Sequence, residues 1–524
     1  MMQINVVLPS GRAERFTVPP STTVQDVSTK AREALGKGCI KLATANNRVL
    51  LDLEQTIAEA GIEDGDCLTA VVLQPQLATT MNSAFALLCH GNPAVVVWGD
   101  TLYGGDSSAV RDQLKGVREI QATTCAFAAI REDGCVVTWG HDTYGGNSSA
   151  VQAQLRGVQQ IQATETDFAA ILADGSVVTW GDADCAGNSS EVRDQLKGVQ
   201  YIQATTCAFA ALREDGRVVT WGHELYGGDS SSVQDELIGV RRIQATKLAF
   251  AAILADGSVV TWGDEDCAGN SSAVRDQLQG VVQIQATSWA FAAIRLDGSL
   301  VTWGHRDSGG DSSGVQDQLK GVRHVQATDD AFAAILADGS VVTWGDEDRG
   351  GDSAMVQDRL KDVQQIQSSS GAFAAILADG SVVTWGDRDG GGDSSAVCAQ
   401  LKDVRQIQAA DYAFAALLAD GSVVSWGHAE CGGDSSAVQD QLHAVRQIQA
   451  SIAEFAAIRE DGTVVVWGFF PYFYWGLGPF RWPDIRTLQR WNVLEKSQGA
   501  TAVLNVSISP SRTQIFFFEK KRIQ

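Results

Sequence analysis

The chain has 524 residues, too many for one apolar core, and its 44% hydrophobic and 20% charged content is that of a folded protein rather than a disordered one. A formal net charge of −23 opposes non-specific binding to nucleic acid or to an anionic membrane, and it points to a partner with a basic surface. Ten cysteines form no Cys-x-x-Cys pair and no zinc-like set with histidine, so incidental thiols of a reducing compartment are expected.

The N-terminus runs straight into a strand-like segment, Gln3–Leu8, with no basic-then-apolar leader. No stretch approaches the roughly 18 apolar residues of a membrane span, so a cytoplasmic or nuclear location is expected. A turn at Pro9-Ser10-Gly11 and a second strand, Arg15–Val18, complete a hairpin. Thr22-Thr23 then opens a helix whose Val24, Val27, Ala31 and Leu35 share one face. Short strands follow at Ile40–Ala43 and Val49–Leu51, with a closing strand at Cys67–Leu73. The order is ββαββ and a last strand.

Four pieces of this segment line up with ubiquitin: Met2-Gln3-Ile4, Thr23-Val24-x-Asp26-Val27, Leu53-x-x-Thr56-Ile57 and Gly61-Ile62-x-Asp64-Gly65-Asp66. Residues 1–73 therefore resemble a ubiquitin-like β-grasp domain. Two departures matter. The segment continues through Gln74-Pro75 with no Gly-Gly end, which fits a built-in domain rather than a conjugable modifier. Ala43 stands where the resemblance places the large aliphatic centre of a recognition patch.

From residue 76 to 468 the chain repeats. Trp-Gly recurs every 41 residues without insertion or deletion, at Trp98, Trp139, Trp180, Trp221, Trp262, Trp303, Trp344, Trp385, Trp426 and Trp467. A fixed period of this length means stacked supersecondary units. One unit reads Gln160-Ile-Gln-Ala-Thr, Phe168-Ala-Ala-Ile-Leu, Asp174-Gly175 and Val177-Val-Thr-Trp180-Gly181. Asp-Gly between two β-rich runs is a hairpin, because glycine takes positive φ without steric cost. Alternation places Phe168, Ala170 and Leu172 on one face, Ala169 and Ile171 on the other. Both faces are apolar, so both must be covered by neighbouring sheets. A Gly-Gly-Asp-Ser-Ser segment then leads through one short helical turn to the next unit. Three strands and a turn per unit, covered on both sides, make a propeller blade.

The pattern Val-x-x-Ile-x-Ala, Phe-Ala, Asp-Gly-x-Val-x-x-Trp-Gly and Gly-Gly resembles the regulator-of-chromosome-condensation repeat. That resemblance implies a mainly β fold, a β-propeller, usually of seven blades; here ten hairpins, from Phe85 to Phe455, call for nine or ten short blades closed into a ring, or an open spiral, and the uniform spacing favours the ring. The nearest functional analogy is the large ubiquitin ligases that join such propellers to a HECT domain. No cysteine follows Cys431, so no thioester-forming lobe is expected here. The remaining segment, 469–524, is aromatic and basic, with eight Lys/Arg against three Asp/Glu, and has no assignable fold.

Variation between units concentrates in the loop before each Phe-Ala strand and in the four residues after each Trp-Gly. In a blade both loops emerge on one side, which is how binding repeats diversify a surface over a constant frame. The expected partner surface carries Glu165, Asp167, Asp182, Asp184, Asp264, Asp266, Asp329, Asp330, Asp346 and Asp348, with Tyr103, Tyr144, Tyr226, Trp289 and Tyr412 as aromatic anchors. The ten tryptophans are expected to be structural.

Asp346-Glu-Asp348 beside glycines hints at calcium, but units with His141, His223 or His305 at the first position lose that ligand, so a turn is the better reading. No metal, cofactor or catalytic site is expected, since the sequence has no phosphate loop, Gly-x-Ser-x-Gly or His-Glu-x-x-His. The expectation is a non-catalytic interaction scaffold, its first domain engaging a ubiquitin-pathway receptor and its propeller holding a protein client. The alternatives are a guanine-nucleotide exchange factor for a small GTPase and a propeller-type enzyme inhibitor. The unbroken 41-residue phase leaves no room for an inserted exchange wedge of the kind the repeat family uses.

Overall fold

The computed structural model describes residues 1–8, 11–35, 39–46, 50, 55–73, 76–80, 84–88, 95–450, 452–460 and 464–468. The aromatic and basic tail, 469–524, and the strand expected at 49–51, apart from Leu50, lie outside the described residues. Among those described, the chain is mainly β, with one α-helix, α1, at Val24–Leu35.

The N-terminal sheet has four strands: β1 (Met2–Val7), β2 (Ala13–Val18), β3 (Cys39–Ala43) and β4 (Cys67–Leu73). Their order is β2-β1-β4-β3, with β1 and β4 parallel. Thr23 starts α1 by accepting the Asp26 N–H at 3.1 Å, which satisfies one of the orphan donors of the first turn. The helix lays Val24, Val27, Ala31 and Leu35 over Ile4, Val6, Leu42 and Leu68 to form one core. Apart from the strand expected at 49–51, this is the predicted order of elements with the predicted buried face.

Ten three-stranded antiparallel sheets follow, one per repeat, each in simple sequential order. In the third sheet the strands are Val158–Ala163, Asp167–Leu172 and Val177–Gly181. The alternation read from sequence is the one found. Phe168, Ala170, Val178 and Trp180 pack toward the second sheet, while Ala169, Ile171 and Val177 pack toward the fourth. Each apolar layer therefore belongs to two consecutive sheets. The paired alanines are fully buried at every one of these boundaries, for instance Ala169 and Ala170. A bulge after the first residue of the first strand recurs in the second to tenth sheets, as at Val158/Gln160. First strands of successive sheets neighbour one another, so they lie nearest the axis about which the sheets turn. This is the stacking of a β-propeller.

Trp139 and its eight later counterparts are 3–5% exposed. Each packs on the phenylalanine directly across its own hairpin, with ring centroids 5.2–5.4 Å apart, stacked in seven pairs and tilted at Trp221 and Trp303. Each also donates its indole N–H across the sheet boundary. Trp180 Nε1 reaches the Gly145 carbonyl at 3.0 Å, and Trp262 Nε1 reaches that of Gly227 at 3.0 Å. The spacing is 35 residues throughout, so one hydrogen bond per unit fastens each blade to the turn of its predecessor. Trp98 pairs with Phe85 through its backbone, and its side chain lies outside the description.

The Gly-Gly that follows is explained by the same contact. Gly309 has φ +92°, and a Cβ there would lie 2.5 Å from Phe332 Cδ2. The Ser-Ser segment forms a short 3₁₀ turn in four units, as at Ser272–Gln277. Asn270 Oδ1 holds it by accepting the Ser272 N–H at 2.9 Å, and Leu278 closes it with 1% exposure.

Candidate functional site

The site begins with where the two variable loops fall. Every second strand runs from the first loop to the Asp-Gly turn and every third strand runs back, so both variable loops sit at one side of the stack. A threonine or serine ties them together. Thr205 donates its backbone N–H to the Ala208 carbonyl of its own loop at 3.0 Å, and its Oγ1 donates to the Tyr226 carbonyl of the second loop at 2.8 Å. Thr328 to Arg349 and Ser369 to Gly390 repeat the bond at 3.1 and 3.0 Å.

The first loops are also joined to one another. Thr124 donates its backbone N–H to the Glu165 carbonyl, Glu165 to Thr206, Thr206 to Lys247, Lys247 to Ser288, and so on through Asp329, Ser370 and Asp411 to Ile452, at 2.8–3.2 Å. The sequence reading treated these positions as free to vary. Their side chains are, but their backbones form a continuous rim of hydrogen bonds linking nine sheets.

The second loops contact the first loop of the next sheet at a separation of 22 residues. Cys185 and Cys207 stand in this relation and form a disulfide, with Cα atoms 5.3 Å apart. This corrects the expectation of ten incidental thiols: unit-by-unit variation had brought two cysteines face to face across a blade boundary. Ser308 Oγ donates to Asp330 Oδ1 at 3.1 Å in the same relation. At the next pair Arg349 occupies the space beside Gly371, where a Cβ would meet its Cδ at 2.9 Å. Part of the variation is therefore complementary packing between neighbours.

The expected partner residues divide accordingly. Tyr103, Tyr144 and Tyr226 are half-buried and pack against the boundaries between sheets one and two, two and three, and four and five. His141 and His223 meet Tyr144 and Tyr226 edge-on at 5.1 Å. Asp167 is fully buried. It occupies the strand position held by alanine in most units, where alternation points it inward, so it is withdrawn from the surface on which the sequence reading placed it. Its Oδ2 accepts from Ala186 N, Thr164 Oγ1 and Thr166 Oγ1 at 3.0, 3.0 and 2.8 Å, and burial raises its pKa above the ordinary carboxyl range against those bonds.

Asp182, Asp264 and Asp346 are half-buried caps. Asp264 Oδ1 accepts the Cys267 N–H and Asp346 Oδ1 the Arg349 N–H, both at 3.0 Å, and Asp182 Oδ1 accepts from Asp184 at 3.0 Å. The alternation of aspartate and histidine after Trp-Gly is an alternation of turn chemistry, since His141, His223 and His305 make no such bond. Asp184, Asp266 and Asp348 project beyond the caps and are exposed, together with Glu265, Glu347 and Asp389.

Nearer the axis, Glu165, Asp329 and Asp330 are half-buried. Burial raises the Glu165 pKa and the Lys247 charge opposes it. Lys247, which the sequence reading passed over, also sits 5.6 Å from the ring centre of half-buried Trp289. Tyr412 is 38% exposed, and its pKa is raised by burial and by Asp411. Burial pushes the thiols of Cys267 and Cys431 up to about 12, with Asp264 and Asp411 adding to the effect, so neither is a thiolate nucleophile at neutral pH. Among the described residues, no three His, Cys, Asp or Glu side chains are placed to hold a metal ion. The arrangement that results is an arc of exposed carboxylates outside an inner rim bearing Trp289 and Tyr412. Its charge is of the sign that a cationic surface would complement.

No helix among the described residues is long and apolar enough to cross a membrane. No protein family matches the chain and no curated protein does. Among solved structures, Prp20p of Saccharomyces cerevisiae, described with its binding to Gsp1p and histones, is 15% identical over 68% of this chain and 81% of its own, with a TM-score of 0.31. The ectodomain of the Physcomitrella patens receptor kinase CR4 is 16% identical over 50% of this chain and 70% of its own, with a TM-score of 0.30. A designed protein based on human erythrocytic ubiquitin is 35% identical over 14% of this chain and 94% of its own, with a TM-score of 0.13. Prp20p is also described as yeast RCC1. The chain is a mainly β protein of repeated three-stranded sheets with a propeller architecture.

Proposed function

We propose that the chain is a non-catalytic protein-interaction scaffold in the ubiquitin pathway. Residues 1–73 act as a ubiquitin-like domain that docks on a receptor, and the variable-loop side of the propeller holds a client with a basic surface. The observation that carries this is the arc of exposed carboxylates, Asp184, Asp266, Asp348 and Asp389, displayed from turns whose caps and tryptophans are fixed. Fixed backbone under variable exposed charge supports recognition, because charge complementarity governs encounter rate and partner choice. Trp289 and Tyr412 supply the apolar contact that charges alone lack.

The test exchanges charge where folding is indifferent to it. Asp266→Lys, Asp348→Lys and Asp389→Lys together should leave the fold intact and weaken capture of client proteins at low salt. They should also flatten the salt dependence of binding. Capture unchanged by the triple exchange would refute the assignment. A nucleotide-release assay with small GTPases addresses the exchange-factor reading, which the unbroken 41-residue phase does not favour.

A further inference from the structure

The other side of the propeller, where the Asp-Gly turns emerge, is also occupied. We infer that it is the docking surface for the chain's own N-terminal domain, which seats the outward face of β3 against the turn of the second sheet.

Strand alternation sets up the contact. Ile40 and Leu42 point into the N-terminal core, so Lys41 and Ala43 point away from it. A lysine in the middle of an outward-facing strand is ordinarily well exposed. The Lys41 side chain is only 22% exposed, because its ammonium is paired with the Glu132 carboxylate, itself 20% exposed. Ala43, on the same outward side and outside the core cluster, is 4% exposed. Ala43, the position expected at the centre of the recognition patch, is therefore itself buried.

The repeats provide an internal control. Glu132 stands immediately before the Asp-Gly of the second sheet. Glu214 and Glu460, the two other glutamates at that position, are exposed, as are Ala173, Ala255 and Leu296. From the third sheet to the tenth every equivalent residue is exposed, and among the described residues at this position Glu132 alone is partly covered. Connectivity explains why the second sheet is chosen. Two residues, Gln74 and Pro75, separate β4 from the first strand of the first sheet, Gln76–Thr79. Since each first strand begins on the Asp-Gly side, the N-terminal domain is tethered within a few residues of that side, and the turns of the nearest blades lie within its reach.

The two sides of the propeller then have different occupants. The Asp-Gly side holds the N-terminal domain in cis, and the variable-loop side stays open. Any receptor that reads the β3 face must compete with Glu132. That last consequence rests on the ubiquitin-like reading of residues 1–73; the contact itself does not.

A zero-length carbodiimide cross-linker applied to the intact chain tests it. Mass spectrometry of the digest should find Lys41 joined to Glu132. Glu132→Gln should abolish that linked peptide, Glu214→Gln should leave it unchanged, and Lys41→Glu combined with Glu132→Lys should restore a link between the same two positions. Hydrogen exchange gives an independent reading: the amides of residues 39–43 should exchange several-fold faster in Glu132→Lys. Absence of the link in the unmodified chain, a link to Glu214 of equal yield, or unchanged exchange at 39–43 would each overturn the inference. No client is present in these measurements, so failure of client capture bears on the proposed function alone.

Discussion

Replacing Trp262 with phenylalanine isolates the bond that joins one blade to the next. The indole is 3% exposed, stacks on Phe250 at 5.3 Å and donates to the Gly227 carbonyl at 3.0 Å. Phenylalanine keeps an aromatic ring next to Cβ, where the five-membered ring of the indole sits, and removes the outer benzo edge and the N–H donor, roughly 40 Å² of apolar surface or about 1 kcal/mol. The Gly227 carbonyl is then left without its donor at a buried boundary, at a cost of about 1–3 kcal/mol. The total, about 2–4 kcal/mol, falls on the boundary between the fourth and fifth sheets. A stacked array need not unfold as one unit, so a single melting curve is a poor readout. Hydrogen exchange followed by mass spectrometry resolves the boundary. Amides in Ala249–Leu254 should exchange about 30- to 700-fold faster, at tenfold per 1.4 kcal/mol, while the eighth and ninth sheets stay as they were. A change below about threefold, or equal acceleration in every sheet, would show that the indole bond does not fasten the blades.

Three further outcomes follow from the site geometry. The folded-state pKa of Asp167 is raised by burial, so its neutral form is the better tolerated; wild-type stability should fall as pH rises from the ordinary aspartate range toward that elevated value. Asp167→Asn should remove this slope, and equal pH dependence of the two melting temperatures would contradict the burial argument. Cys185→Ala should destabilise the third and fourth sheets by about 2–4 kcal/mol under oxidising conditions and by little in reductant, as read by melting with and without a phosphine. Asp346→Ala should cost about 0.5–2 kcal/mol through loss of the turn cap, whereas Asp348→Ala on the same turn should change stability by less than about 0.5 kcal/mol; equal costs by chemical denaturation would remove the distinction between cap and tip.

Much of the architecture was legible because the repeat states it ten times. The period of 41 gives the unit, Asp-Gly gives the hairpin, and alternation along Phe168–Leu172 gives the two buried faces found in the structure. The N-terminal elements were legible for the same reason, since Val24, Val27, Ala31 and Leu35 mark one helix face. The candidate site was legible only in part. Asp182, Asp264 and Asp346 read as surface charge because capping is a relation to backbone N–H groups that composition does not display. Asp167 read as surface because its loop neighbours are polar, though the alanine at that position in most other units was a signal of burial. The Cys185–Cys207 pair could have been suspected from the 22-residue offset that Ser308 and Asp330 share.

Local chemistry by itself determined the strands, the turns and which side chains must be hidden, because those depend on propensity and on a period of two along each strand. Only the stacking of one sheet on the next decided which of the variable residues meet each other, which carboxylates cap a turn, and which stand free. Those relations join atoms 22, 35 or 41 residues apart, and no rule acting along a single unit can see across the boundary between two. The seating of Lys41 on Glu132 is of the same kind: its partners are 91 residues apart, brought together by a two-residue tether and by the side of the propeller on which that tether begins.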